Sequence, residues 1–344
     1  MGGRLTMAKI KRLFNDPYDI VEEMVEGYVG AHKQYVKMCD LDEAQGRVVL
    51  ANDAGTKDKV GVIIGGGSGH EPLFIGYVGE DFADAVVIGN INTSPSPDPC
   101  YAAAKACDNG KGCIYLYGNY AGDVMNFDMG AEKADEEDDI RVETVLVTDD
   151  VVSSENIPDR RGIAGDFFVF KVAGAKAATG ADLDEVVAAA QKANDNTRSM
   201  GVAMSSATLP AKGGPIFDME DGDMEIGMGI HGEPGIRRGK IDTADNVIDE
   251  IMEPILKDLP YVEGDEVYVL VNSLGATPLI DLHVCYRRVA QILEEKGIKV
   301  YKALVGPFAC SMDMAGMSVT LMKLDDELKE LMDAPCDTPY FTQK

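Results

Sequence analysis

The chain has 344 residues, 45% hydrophobic and 26% charged, with 59 Asp plus Glu against 32 Lys plus Arg and a formal net charge of −27. That length suits one large or two ordinary domains with real cores. The acidic field repels phosphodiester backbones, so nucleic acid is not an expected partner, and no apolar run approaches the ~18–20 residues of a membrane helix.

In chain order, Met1-Gly2-Gly3-Arg4 lacks an apolar signal core, so secretion is not expected. Residues 17–40 read as an opening helix, because Ile20, Val21, Met24, Val25, Tyr28 and Val29 recur at helical spacing. Asp16-Pro17 offers an N-cap acceptor and then Pro at the first helical position. Short apolar runs at Val60–Ile64, Ala85–Ile91, Cys113–Tyr117 and Val142–Val147 read as strands, with helices near Pro99–Cys107 and Asp123–Ala134. Alternation of this kind indicates a sheet that is at least partly parallel, with ligands expected beyond the strand carboxyl ends. The acidic run Asp135–Asp139 reads as a solvated helix end.

Two helices follow, Asp166–Ala178 and Leu183–Ala193, split by Thr179-Gly180. The second, rich in Ala, reads as a bridge between domains. A further set of strands is expected near Gly201–Ser206, Met224–Gly229, Glu266–Asn272, Lys299–Val305 and Ser318–Lys323, with helices at Ala244–Leu259, capped by Thr243, and Leu279–Glu295. The fold class expected is two α/β domains, 1–195 and 196–344, each a mixed, largely parallel sheet flanked by helices. The seven cysteines (39, 100, 107, 113, 285, 310 and 336) are odd in number, scattered and without a C-x-x-C pair. Reduced thiols in a cytoplasmic protein fit this better than a disulfide scaffold or a zinc site.

Four histidines are present. His70 and His231 each sit in a glycine-rich segment, Gly65-Gly66-Gly67-Ser68-Gly69-His70-Glu71-Pro72 and Gly227-Met228-Gly229-Ile230-His231-Gly232-Glu233-Pro234-Gly235, one in each half. Glycines let backbone N–H groups approach a ligand, and a His reaching into such a groove can act as base or nucleophile. Structural turns are the alternative. His32 and His283 lie in helical patterns without that setting and read as structural or surface groups. So few histidines argue against a His-rich metal site.

No G-x-x-x-x-G-K-[ST] loop occurs. A dinucleotide fingerprint fails at the first glycine segment, where His70 stands in the third glycine's place. Gly227, Gly229 and Gly232 do match the pattern, but Pro234 and Gly235 follow where a helix must begin. Asp123 comes just after the strand Cys113–Tyr117, at or near a helix N-terminus. It reads as a general base or as an N-cap, with position alone not deciding. Asn92-Thr93-Ser94-Pro95-Ser96 follows another strand and could bind a hydroxylated ligand or simply turn the chain.

These segments together resemble the dihydroxyacetone kinase family, specifically its ketose-binding subunit. The resemblance rests on G-G-G-S-G-H-E-P (65–72), S-P-S (94–96), N-Y-x-G-D-x-x-N-F (119–127), R-G-I-A-G (161–165) and G-M-G-I-H-G-E-P-G (227–235), in order along nearly the whole chain. Asn272-x-Leu274-Gly275 fits less tightly. The resemblance implies that His231 adds covalently to a substrate ketone as a hemiaminal. It implies that His70 is the second active-site His and that Asp123 stands near the reacting hydroxyl. Gly67, Ser68 and Gly69 match its binding loop and Ser94 a further substrate contact. Many members carry Lys where this chain has Gly118. That departure suggests a roomier pocket, for a four-carbon ketose such as erythrulose, unless a neighbouring residue fills the space. A ketose-sensing regulatory paralogue is the rival reading, although a base beside the covalent His favours catalysis. The resemblance further implies a homodimer. It also implies a separate helical partner subunit holding Mg²⁺ and ADP or ATP, recharged in some systems by a phosphocarrier protein, with no cofactor or metal in this chain.

Overall fold

The computed structural model describes residues 12–344; the Met1–Arg4 start lies outside them. The first half is built on a six-stranded sheet. Helix α1 (Ile20–Ala31) leads to β1 (Val36–Met38), β2 (Val48–Ala51), β3 (Gly61–Ser68), β4 (Ala85–Ile91), α2 (Pro97–Cys107), β5 (Cys113–Gly118), α3 (Ala121–Asp138) and β6 (Val142–Val147). The sheet order is β1-β2-β4-β3-β5-β6. The four strands β4, β3, β5 and β6 run parallel, and β1 and β2 are antiparallel additions at one edge. Every residue of β3 and β5 is buried, as expected for central parallel strands covered on both faces.

Helix α1 is shorter than its periodicity suggested. It ends at Ala31, where the His32 N–H bonds back to Tyr28 and Val29 carbonyls, and Val36 then pairs with Ala51. Val36 is buried in a short edge strand rather than on another helical turn. Asp16 accepts from the Tyr18 N–H, and Asp19 occupies the N-cap position. The acidic run ends α3, exposed, with Asp139 in the left-handed conformation.

Two helices then cross between the halves, α4 (Asp166–Ala178) and α5 (Leu183–Asp195), the latter closed by a capping box between Asp182 and Glu185. Helix α4 is buried on nearly all sides, which is the signature of a helix inside a core. Its Phe168 ring lies 5.2 Å from Tyr268 of the second sheet, and its Lys171 ammonium donates to the Leu331 and Ala334 carbonyls. Part of the contact between halves thus runs through α4, while the Ala-rich α5 packs on α4 and the first sheet.

The second half holds β7 (Thr197–Ala203), a two-stranded ribbon of β8 (Thr208–Leu209) and β9 (Gly214–Pro215), β10 (Asp223–Ile226), β11 (Arg237–Lys240), α6 (Ala244–Asp258), β12 (Glu266–Ser273), α7 (Leu279–Glu295), β13 (Lys299–Gly306), β14 (Gly316–Leu324) and α8 (Asp326–Asp333). Thr243 caps α6 through the Asn246 N–H. The sheet order is β11-β10-β7-β14-β12-β13. Here the expectation of a largely parallel sheet is corrected: only β12 and β13 are parallel, and every other pairing is antiparallel. The reason lies in the connections. A helix crossover returns the chain in the same direction only between β12 and β13, whereas β10 and β11 form a hairpin. Helix α8 and a terminal ribbon, β15 (Cys336–Asp337) with β16 (Thr342–Gln343), return to the core of the first half. All seven cysteines are free. No helix among the described residues is long and apolar enough to cross a membrane.

Candidate active site

Strand β3 ends at Ser68, β5 at Gly118 and β6 at Val147, so their following loops gather at one edge of the first sheet. The hairpin loop 227–236 of the second sheet reaches over the same edge. Between them lies a small, partly open recess walled by Gly65, Gly66, Gly67, His70, Leu73, Phe74, Gly118, Tyr120, Asp123, Gly162, Asp166, Ile230 and His231. Of the residues expected at the site, Gly67, His70, Gly118, Asp123 and His231 meet on this wall. Ser68, Gly69 and Ser94 do not lie on it.

His70 and His231 face each other with Nε2 atoms 2.9 Å apart. His70 is 2% exposed, and its Nδ1 donates to the Cys310 carbonyl oxygen at 2.8 Å. Burial, and then His231 beside it, push His70 down to about 3. Its position is secured by Asn272, whose carboxamide accepts from the Phe308 and Ala309 N–H groups and donates to the Ala309 carbonyl. The pinned segment clamps the glycine loop in turn, through Cys310 N–H to His70 O and Met312 N–H to Gly69 O. His231 is less enclosed. Its Nδ1 lies 3.2 Å from Glu233 Oε1, and the Tyr120 ring stands edge-on at 4.6 Å.

Asp123 sits in the first turn of α3, 8% exposed, with Oδ1 lacking any partner. Burial pushes its carboxyl up to about 6, against a Ser94 hydrogen bond and the nearby His231. Ser94 lies beside Asp123 with its hydroxyl donating to the Pro95 carbonyl at 3.2 Å, and Asn126 of the same motif donates to Ser94 Oγ and to the Pro95 carbonyl. The Ser68 hydroxyl donates to the Gly89 carbonyl, and the Gly69 N–H goes to the Glu71 carboxylate. These two residues shape the loop. Asp166, at the start of α4, also has an unpartnered buried Oδ1. Burial, with Asp149 and Asp123 nearby, pushes its carboxyl well above the usual range.

Gly118 is closely flanked. A Cβ there would lie 3.1 Å from the Tyr120 ring and 3.2 Å from the Gly162 oxygen, and a Cβ on Gly162 would fall 2.4 Å from Gly118 Cα. Tyr120, Glu233 and Arg161 were passed over as site residues, although they lie within the segments N-Y-x-G-D, G-E-P-G and R-G-I-A-G. Asp166, which follows the last of these, had no signal of its own. His32 packs against Tyr28 and Tyr340, and His283 is exposed on α7, both apart from the recess. Among the described residues no group of three or more His, Cys, Asp or Glu is placed to hold a metal ion.

The Dak1 domain model matches residues 26–340. Over 96% of this chain and 99% of the relative, the sequence is 60% identical to the PTS-dependent dihydroxyacetone kinase 2, dihydroxyacetone-binding subunit DhaK, of Listeria innocua. It is 43% identical to the L-erythrulose 1-kinase of Mycolicibacterium smegmatis, across 96% of this chain but 57% of that protein. The crystal structure of the dihydroxyacetone kinase of C. freundii superposes with a TM-score of 0.88 at 31% identity, covering 97% of this chain and 60% of that one. This chain thus spans a little over half of the longer kinases and nearly all of the separate subunit.

Proposed function

This chain belongs to the Dak1 domain family, and from that premise we propose that it is the ketose-binding subunit of a dihydroxyacetone-type kinase. The observation that carries the reading is the meeting of His231, from a hairpin loop of one sheet, with His70 and Asp123 at the strand ends of the other. In this reading His231 bonds the ketone carbon and holds the substrate as a hemiaminal, which selects carbonyl compounds over plain polyols and fixes the hydroxymethyl arms. Asp123 accepts the proton of the hydroxyl to be phosphorylated, and a carboxyl poised near 6 is ionised at neutral pH yet basic enough to do so. His70 orients the carbonyl end.

The phosphoryl group comes from Mg²⁺-bound ATP on a helical partner subunit, which is left as ADP and is recharged there by a phosphocarrier where phosphoenolpyruvate is the source. The 99% coverage of a PTS-dependent binding subunit supports a separate partner. A cytoplasmic homodimer, built from α/β units 1–195 and 196–344, completes the proposal. Erythrulose is the second candidate substrate, supported by the erythrulose kinase relative.

Intact-protein mass spectrometry after soaking with dihydroxyacetone or erythrulose tests the reading. One ketose should add to the wild type and none to His231→Ala, with His283→Ala behaving as wild type. No adduct with either ketose, or an adduct that survives the loss of His231, would overturn it.

A further inference from the structure

We propose that Glu233 is the positioning residue for His231: it holds the ring with a proton on Nδ1, so that Nε2 is the nitrogen that bonds the ketose. The inference rests on the covalent reading above and on a hydrogen inventory of three contacts. The Cys310 carbonyl can only accept, so His70 carries its proton on Nδ1 and presents Nε2 as an acceptor. His231 Nε2, 2.9 Å from that acceptor, must therefore donate to it. On the other side His231 Nδ1 faces Glu233 Oε1 at 3.2 Å, and an ionised carboxylate also only accepts. The arrangement satisfies every atom when the ketose-free His231 carries both protons between two acceptors.

Glu233 is itself held in place. Its Oε2 accepts from the His231 backbone N–H at 3.0 Å. Arg161, gripped by two N–H contacts to Asp150, stands 3.9 Å away. Burial works to raise the Glu233 carboxyl, but His231 and Arg161 outweigh it and hold it at about 2. A Cβ on Gly229 would fall 2.2 Å from Glu233 Oε2 and 2.6 Å from Arg161 Nη1, so the loop leaves Gly229 bare where this ion pair sits.

The covalent step then balances. The Nε2 proton of His231 leaves to solvent. The freed Nε2 lone pair forms the N–C bond to the ketone carbon, and the carbonyl π pair moves onto oxygen. That oxygen takes a proton from solvent and becomes the hemiaminal hydroxyl. The Nδ1–H stays on Glu233, so the imidazolium adduct is paired with a carboxylate. Without Glu233 the neutral ring is free to place its proton on Nε2, where no lone pair remains for the bond.

Only four histidines are present, so ¹⁵N-histidine spectra of the ketose-free protein resolve each ring. The groups facing His231 are His70, Asp123, Tyr120, Glu233 and, through Glu233, Arg161; all but Glu233 are left unchanged in the comparison. In wild type the neutral His231 ring should carry its proton on Nδ1. In Glu233→Gln the neutral ring should shift to Nε2–H, and adduct formation with dihydroxyacetone should slow by about 10- to 100-fold. Glu233→Gln retains an oxygen to accept the His231 N–H, and unchanged His32 and His283 signals report an intact fold. Glu233→Ala, which lacks that oxygen, should slow the adduct at least as much. The same tautomer in wild type and Glu233→Gln, or an adduct rate unchanged in Glu233→Gln, overturns the proposal. If the wild type forms no adduct at all, the covalent reading fails, and the ketose-free spectra still decide what Glu233 does.

Discussion

Asp123 shows how burial prepares a single residue for chemistry at a cost in stability. Its carboxyl moves from 3.8 to about 6, chiefly by desolvation. A folded-state pKa above the unfolded one means that the folded protein binds the proton more tightly. The contribution to stability is therefore full below about pH 4 and is lost as pH rises through about 6, a difference of roughly 3 kcal/mol. Asp123→Asn, which keeps the shape without the charge, should melt higher than wild type above about pH 7 and match it near pH 4. In the kinase reconstituted with its partner and nucleotide, the wild-type rate should fall as pH drops below about 6, and Asp123→Asn should lose about 10²–10⁴-fold at neutral pH. Wild-type turnover by that variant would remove Asp123 from the role of base. Asp123 was legible from its place after a strand. Its environment was not, because burial by α3 and the second-half loop is invisible in the local sequence.

Helices show the same division between local and tertiary control. Gly30 in α1 and Gly174 in α4 are both helical glycines, and helix propensity alone predicts that Ala improves each by about 0.5–1 kcal/mol. The structure separates them. A Cβ on Gly30 meets nothing within 4 Å, whereas one on Gly174 would lie 2.1 Å from the Phe82 carbonyl oxygen. Gly30→Ala should therefore stabilise by about 0.5–1 kcal/mol, and Gly174→Ala should destabilise by roughly 2 kcal/mol or more, as measured by urea denaturation. Helices α4 and α7 were legible to their first and last residues, since long apolar periodicity and good stops mark them. Strands β1, β2 and β11 were missed. They are edge or near-edge segments of only three or four residues, too short for a pattern of alternation to mark them.

At the scale of the whole molecule, the site requires both halves to hold one relative position. A charged joint contributes to that. Arg160 pairs with Asp258 through two contacts of 2.8 and 2.6 Å, and Arg198 binds the same carboxylate. The two arginines are almost fully buried. The Arg160 carbonyl also accepts from Asn119, which precedes the Tyr120 that packs on His231. Asp258→Ala leaves two buried guanidinium groups without their carboxylate and should cost about 3–5 kcal/mol in denaturant unfolding. The same variant should slow ketose adduct formation, because His231 and His70 approach from opposite sides of the joint. Wild-type stability would show that the joint contributes nothing.

The sequence by itself determined the α/β class, most element positions and five ordered motifs that carry the family. It also singled out His70, His231 and Asp123 among many polar residues, because glycine-rich settings and strand ends are local features. Tertiary structure alone decided that the two glycine segments meet, that the second sheet runs mostly antiparallel, and that Tyr120 and Gly162 press close on Gly118. It alone set Cys310 and Asn272 around His70. Those contacts join residues up to 240 positions apart, and no periodicity or spacing within one segment records a hydrogen bond to another.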